Sequence, residues 1–234
     1  MTLDGLLLVD KPKGWTSHDV VAAVRGRLPK KTKVGHSGTL DPQATGLLVL
    51  LIGAATKCAA LFQGCGKTYS GTIRFGVATD TADLDGKVIA EAPVPSFTPE
   101  RLQAVFDSLL GARDLPPPAY SAVKVHGRPL YDYARRGIAV EAKPRPQRVD
   151  SWNLLEWASP EASFRMRCSG GTYVRCFAVA AGEKLGCPAA LSSLRREEVG
   201  PYTVAGAIGA EEAKKLMSEQ IAELLLAPEV PQAR

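Results

Sequence analysis

The chain has 234 residues, 45% of them hydrophobic, and a formal net charge of +5. It can bury a core of its own, in one large domain or two small ones, and its mildly basic balance suits an anionic partner without requiring one. The longest apolar run, residues 47–55, is too short to span a bilayer, the five cysteines form no Cys-x-x-Cys pair, and the three histidines are scattered, so neither a membrane span nor a metal centre is supported. Leu6 to Val9 reads as a buried strand that stops at the turn Asp10-Lys11-Pro12-Lys13-Gly14. Thr16 or Ser17 caps a helix running to about Leu28, with Val20, Val21 and Val24 on one face. Residues 29–46 form a long polar, glycine-rich loop, a length that inside a compact domain is functional or disordered.

Leu47 to Ile52 is almost wholly apolar and predicts a strand buried on both faces. A helix follows over Ala54 to Gln63. Lys67 to Phe75 alternates Tyr69, Gly71, Ile73 and Phe75 with Thr68, Ser70, Thr72 and Arg74, the pattern of a half-buried strand. A turn at Asp83 to Gly86 leads to a strand at Val88–Ala90, and Thr98 caps a helix over Pro99 to Leu110. Residues 111–148, rich in proline, glycine and positive charge, read as an excursion from the core with a short helix at Pro129 to Arg136. Paired strands follow at Val149 to Trp157 and Ala162 to Cys168. A helix spans Thr172 to Lys184 and ends at Gly186, a strand spans Ala189 to Val199, and a helix spans Ala210 to Leu226. Strands and helices mix without a βα repeat, which predicts an α+β class with a mixed or antiparallel sheet.

Charge is uneven. Residues 1–40 carry seven Lys/Arg against three Asp, and residues 124–148 carry seven against two acids, whereas the segment after Leu194 is net acidic. Two separated basic stretches have the form of a nucleic-acid footprint, although charge alone equally allows a solvated surface. The unpaired cysteines fit reduced thiols in a cytoplasmic protein, and Met1 opens no signal peptide.

The segment Gly35-His36-Ser37-Gly38-Thr39-Leu40-Asp41-Pro42-Gln43-Ala44-Thr45-Gly46 holds the chemistry. Pro42 biases Asp41 toward extended dihedrals, so a carboxylate is presented from a constrained turn beside a histidine. Taken alone, Asp41 also suits a plain turn residue and His36 a surface histidine. The longer run from His36 to Lys57, HSGTLDPQATGLLVLLIGAATK, resembles the signature segment of TruB-type tRNA pseudouridine synthases. Asp10 to Ser17, Lys67-Thr68-Tyr69, Asp80 to Asp83, Tyr120 to Gly127 with Leu130-Tyr131, Gly171 to Arg175 and Leu194-Arg195-Arg196 resemble further motifs of that family, in order, over roughly residues 5–200.

The resemblance implies a pseudouridine synthase fold: one catalytic domain over residues 1–234, with a mixed, mostly antiparallel sheet flanked by helices. A basic thumb spans about residues 112–148; many members of the family continue into a PUA-type RNA-binding domain, and this chain departs from that pattern in having no room for one. It implies isomerisation of the tRNA T-loop uridine at position 55 after base flipping, with no cofactor and no metal. Asp41 is the catalytic carboxylate, as nucleophile or base. Arg175 is its guanidinium partner, and Tyr69, also in the catalytic set, lies against the uracil with its hydroxyl placed to assist proton transfer. His36 fills the space that flipped nucleotides vacate, and Tyr173 and Leu194 line the pocket. Phosphate contacts are expected from Lys11, Lys13, Lys30, Lys31 and Lys33 near the catalytic loop, and from Lys124, Arg128, Arg135, Arg136, Lys143, Arg145 and Arg148 in the thumb. The partner is the tRNA T-arm, with no membrane, no obligate protein partner and a monomeric state. A guide-RNA-dependent synthase and a tRNA-folding chaperone with secondary catalysis are the alternatives.

Overall fold

The computed structural model describes residues 3–229. The chain divides into two compact units, one of residues 1–69 and 194–234, the other of residues 70–193. The strands in chain order are β1 (Gly5–Lys11), β2 (Val34–His36), β3 (Thr45–Ile52), β4 (Lys67–Phe75), β5 (Val77–Thr79), β6 (Val88–Glu91) and β7 (Gly111–Leu115). They continue as β8 (Lys124–Val125), β9 (Arg128–Pro129), β10 (Arg145–Ala158), β11 (Glu161–Cys168), β12 (Ala189–Val199), β13 (Tyr202–Thr203) and β14 (Ile208–Gly209). The α-helices are α1 (Ser17–Arg25), α2 (Ala59–Gly64), α3 (Pro99–Ser108), α4 (Leu130–Arg135), α5 (Val174–Leu185), α6 (Ala210–Ala213) and α7 (Ser218–Glu223). The class is α+β with a mixed, mostly antiparallel sheet, as the sequence predicts.

In the first unit the strand order is β14-β1-β3-β12. β1 and β3 are antiparallel, Gly5 opposite Ile52 and Lys11 opposite Gly46. β12 joins β3 in parallel. Because side chains alternate along a strand, the apolar runs of β1 and β3 bury both faces. Leu7, Val9, Leu48, Leu50 and Ile52 pack with Val20, Val21 and Val24 of α1, while Leu6, Leu8, Leu47, Val49 and Leu51 pack with Phe62 and Tyr202. Each such side chain contributes about 1.5–3 kcal/mol of burial. The helix α1 starts on a reciprocal cap: Thr16 Oγ1 accepts from Asp19 N–H and the Asp19 carboxylate accepts from Thr16 N–H.

Four expectations in this unit need correction. Helix α1 stops at Arg25 rather than near Leu28, at Gly26 and three residues ahead of Pro29. The 29–46 loop contains β2, which pairs with β3, His36 opposite Leu50. The expected helix at 210–226 is α6 and α7 with a break between them. The break lets Ala210, Ala213 and Ile221 all reach the core, after which Leu226 exchanges two backbone hydrogen bonds with Leu6. The helix expected at 54–63 begins instead as a 3-10 turn, Gly53–Cys58, before α2.

In the second unit the order is β4-β11-β10-β7. Its core is aromatic. Trp152 of β10 stacks on Phe106 of α3 with centroids 4.0 Å apart, and meets Phe164 and Phe177 edge-on. The basic excursion is rooted more deeply than its composition suggests. β7 pairs with the first residues of β10, Gly111 opposite Val149 and Leu115 opposite Arg145, so only residues 116–144 leave the sheet.

Candidate active site

Asp41 is partly buried on a loop fastened at successive residues. The hydroxyl of buried Ser17, at the start of α1, donates to Leu40 O and accepts from Leu40 N–H at 3.2 and 2.8 Å. Ala44 N–H donates to Asp41 O (3.0 Å), and Gly14 N–H donates to Pro42 O (2.8 Å). Pro42 O also accepts from Lys11 Nζ, which donates in addition to Trp15 O and Pro12 O at 2.7 and 3.0 Å. Lys11 is fully buried. Burial lowers its ammonium to about 8, against the field of Asp41, which favours the charged form, while Arg196 adds to the lowering. The expectation that Lys11 contacts phosphate is therefore corrected: its ammonium is spent on carbonyls that shape the Asp41 loop.

A second buried cation braces the other side of the same loop. Arg196, on β12 opposite Gly46, is 1% exposed; its Nε donates to Leu47 O at 2.7 Å and its Nη2 to Gly38 O at 3.1 Å. Gly46 has φ +98, and a Cβ there would collide with the Arg196 carbonyl, so glycine is required for this approach. His36 is held below its ordinary pKa by burial first and then by Arg196, and its Nδ1 accepts from Gly38 N–H at 3.2 Å. It is thus a neutral, flat ring with Nε2 as donor. Next to Arg196, Arg195 binds Asp10 bidentately at 3.1 and 2.7 Å. Tyr69 is 7% exposed on β4 and Leu194 half-buried on β12.

The second unit carries Arg175 and Tyr173 at the start of α5. Arg175 is 4% exposed, donating from Nη1 to Thr81 O at 2.8 Å and from Nη2 to Tyr120 O at 2.9 Å, with Asp83 Oδ2 at 3.6 Å. Asp83 is itself set by Thr81 Oγ1 and Asp85 N–H, and its loop is tied to Leu191 by two backbone hydrogen bonds. Burial pushes the Tyr173 hydroxyl above its ordinary range; the nearby Ser121 hydroxyl, which stops short of hydrogen-bond geometry, pulls the other way.

The root of the 116–144 segment clasps this helix start. Buried Gln147 accepts from Tyr173 N–H at 2.7 Å and donates to Leu115 O at 3.2 Å, and Cys176 Sγ donates to Pro116 O at 3.6 Å. Beyond the root, Lys124, Arg128, Arg135, Arg136 and Lys143 are exposed, and so are Arg145 and Arg148 at the root itself, as phosphate contacts require. Arg148 is ion-paired with Asp150, and Arg135 lies over the Tyr131 ring.

Lys30, Lys31 and Lys33 were expected near the catalytic loop. They instead lie at the opposite end of the β1/β3 ladder, around Leu3, Asp4 and Gly53, while Lys11 and Gly46 mark the Asp41 end. Lys13 is exposed in the turn after β1. Sequence reasoning did not single out Arg196, Gln147 or Asp83 as site residues. Arg196 and Asp83 sit in quoted motifs, a signal that could have found them; nothing marks Gln147. Among the described residues no group of His, Cys, Asp and Glu is arranged to hold a metal ion, and no helix is long and apolar enough to cross a membrane.

Comparison with known proteins places these residues in company. The family model described as TruB family pseudouridylate synthase (N terminal domain) matches residues 26–174. A protein of Opitutus terrae named tRNA pseudouridine synthase B is 46% identical over 224 residues, covering 96% of this chain and 92% of that protein. One of the same name from Geobacillus kaustophilus is 45% identical over 233 residues, covering 97% and 81%. Among solved structures, a chain of a Cbf5-Nop10-Gar1 complex superimposes with a TM-score of 0.72 at 25% identity, over 95% of this chain and 60% of that one. A chain of the archaeal box H/ACA sRNP Nop10-Cbf5 complex gives 0.66 at 23% identity, over 94% and 58%, a likeness of fold.

Proposed function

The chain belongs to the TruB family of pseudouridylate synthases, and from that membership we propose that it isomerises the T-loop uridine at tRNA position 55 to pseudouridine. The reaction breaks the N1–C1′ bond of uridine and forms C5–C1′; C5 loses a proton and N1 gains one. Atoms and electrons balance within the substrate, so the protein must supply an ionised carboxylate, a shaped pocket and proton transfer. Asp41 supplies the carboxylate, as nucleophile or as base. The observation that supports this most is its setting: a loop pinned by Ser17 and Lys11, close enough to a buried ammonium for its charge to register there. Opposite charges this close favour each other's charged form.

The remaining roles belong to the same proposal. Arg175 holds the Asp41 carboxylate charged, and the rigid anchoring of its guanidinium on Thr81 O, Tyr120 O and Asp83 suits a group that must not reorient during reaction. Tyr69 stacks on the uracil, and neutral His36 occupies the space left by flipped nucleotides, where a flat uncharged ring can stack. Tyr173 and Leu194 line the pocket. The chain acts as one catalytic domain in the cytoplasm, as a monomer, on bare tRNA, with exposed thumb cations gripping the T-arm backbone.

The test is nucleotide-resolution mapping of pseudouridine in unmodified tRNA treated with the purified chain. One modified uridine, in the T-loop, is expected. Asp41→Asn should abolish product and keep tRNA binding; unchanged yield in that variant ends the assignment. Product only when a guide RNA and further proteins are added would move the chain toward the guide-dependent reading. Folding of tRNA unaffected by Asp41→Asn, with product lost, would separate a chaperone role from catalysis.

A further inference from the structure

The first unit carries a second concave basic site that the isomerisation does not use. A cleft of about 470 Å³ opens between the 29–33 turn and residues 53–57, lined by Lys30, Lys31, Lys33 and Lys57 with Asp4 and Thr56. All four lysines are exposed, and among the described residues none of them is ion-paired. The one acid is spent: Asp4 Oδ1 accepts from Ala54 N–H at 2.6 Å.

The walls are preset. Gly53 N–H donates to Lys33 O at 2.8 Å, and Thr32 returns two hydrogen bonds to Pro29 O. Lys31 has φ +74, an uncommon left-handed conformation for a residue with a side chain. Gly53 has φ +61, and a Cβ there would collide with Asp4. Strain of this kind persists where surrounding structure over-determines it. Four like charges around one fixed concavity repel one another until an anion enters.

We propose that this cleft binds the phosphate backbone of the substrate RNA at a point remote from the reacting uridine, an inference that rests on the tRNA reading above. Two observations favour backbone over a free nucleotide. No aromatic side chain lines the cleft, so a base has nothing to stack on; lysines meet phosphates as point charges without reading sequence. The register supplies the distance. The cleft lies at the Gly53 end of β3 and the catalytic loop at the Gly46 end. Seven residues at ~3.3 Å each separate the two by about 23 Å. That spans several base-pair steps of an A-form RNA duplex, beyond the reach of contacts at the flipped nucleotide.

The experiment compares full-length unmodified tRNA with an isolated T-arm hairpin, using the chain in which Lys30, Lys31, Lys33 and Lys57 are all replaced by Gln. Because the four side chains are exposed and unpaired, the variant should fold as the parent does, which circular dichroism checks. The expected result is full-length tRNA bound on the order of tenfold more weakly at 0.1 M salt, with the salt slope reduced by about 0.7–0.9 per lost contact. Hairpin binding and the turnover of bound hairpin should be unchanged. Unaltered affinity and slope for full-length tRNA would overturn the proposal, and so would an equal loss on the hairpin, which would put the contact inside the T-arm. Displacement of tRNA from the cleft by micromolar AMP would also overturn it, in favour of a nucleotide site. Failure of the parent chain to make pseudouridine in full-length tRNA would instead be a failure of the proposed function, read in a separate measurement.

Discussion

The Asp41 loop and the 116–144 segment treat charge in opposite ways. Around the loop, cations are buried and spent on carbonyls: Lys11 on Pro12, Trp15 and Pro42, Arg196 on Leu47 and Gly38. In the segment, cations point to solvent, on a small hairpin and a six-residue helix tied by a few bonds such as Leu130 N–H to Val123 O and Tyr133 Oη to Val125 O. A reacting group needs its geometry fixed before substrate arrives, and that is done from inside. A grip on an anionic backbone needs exposed charge that can adapt, and tolerates weak local structure.

The comparison can be broken in stages. Asp41→Asn should cost the most, about 10³-fold or more in kcat, with tRNA affinity retained, because it removes the carboxylate proposed to react. Lys11→Met should act on folding, since it orphans three carbonyls at the loop. A loss of about 2–4 kcal/mol is expected, or a Tm lower by roughly 5–15 °C, measured by thermal unfolding. A stability unchanged within 1 °C would show the ammonium to be dispensable.

Gln147→Met tests whether the exposed segment reports to the interior. It cuts the bond to Leu115 O and the one from Tyr173 N–H while keeping side-chain length, and should lower kcat by about tenfold with little change in KM for tRNA. Gln147→Glu, which keeps the acceptor for Tyr173 N–H, should recover part of that loss; a KM effect alone would make Gln147 a thumb-binding residue only. Charge-neutral replacement of Arg135 and Arg136 should change affinity alone, lowering the salt slope of tRNA binding by about 0.7–0.9 per contact. An unchanged slope would remove both from the grip.

The last test is a pH dependence. The folded value of Lys11, about 8, lies below its unfolded 10.5. Between those values the unfolded chain binds more protons, so this residue's contribution to stability rises with pH from 8 to 10.5 and its burial penalty is complete below 8. Chemical denaturation of the parent and Lys11→Met proteins across that window should show their difference growing with pH; a constant difference would contradict the lowered value.

Much of this was legible along the chain, and the part that was not has a common cause. Both-face burial of β1 and β3 follows from uninterrupted apolar runs, and the Thr16 and Thr98 caps and the strand at Ala189–Val199 follow from local pattern. The Asp41 loop was found by its glycines and Pro42 and by the likeness of His36 to Lys57 to a known signature. The split of the last helix, by contrast, depends on Leu226 finding the backbone of Leu6, and the rooting of the thumb on β7 finding β10. Neither pairing leaves a mark in its own segment.

What the sequence by itself determined is therefore most of the long strands and helix starts, the class of fold and the candidate catalytic loop, because capping, periodicity and turn chemistry act between near neighbours. What only the tertiary structure decided is the fate of each charge. Lys11 and Lys33 are the same residue type in similarly basic stretches, yet one ends fully buried on three carbonyls beside Asp41 and the other at the rim of an open cleft. A lysine's role is set by the oxygens that surround it after folding, and those come from residues up to thirty-one positions away.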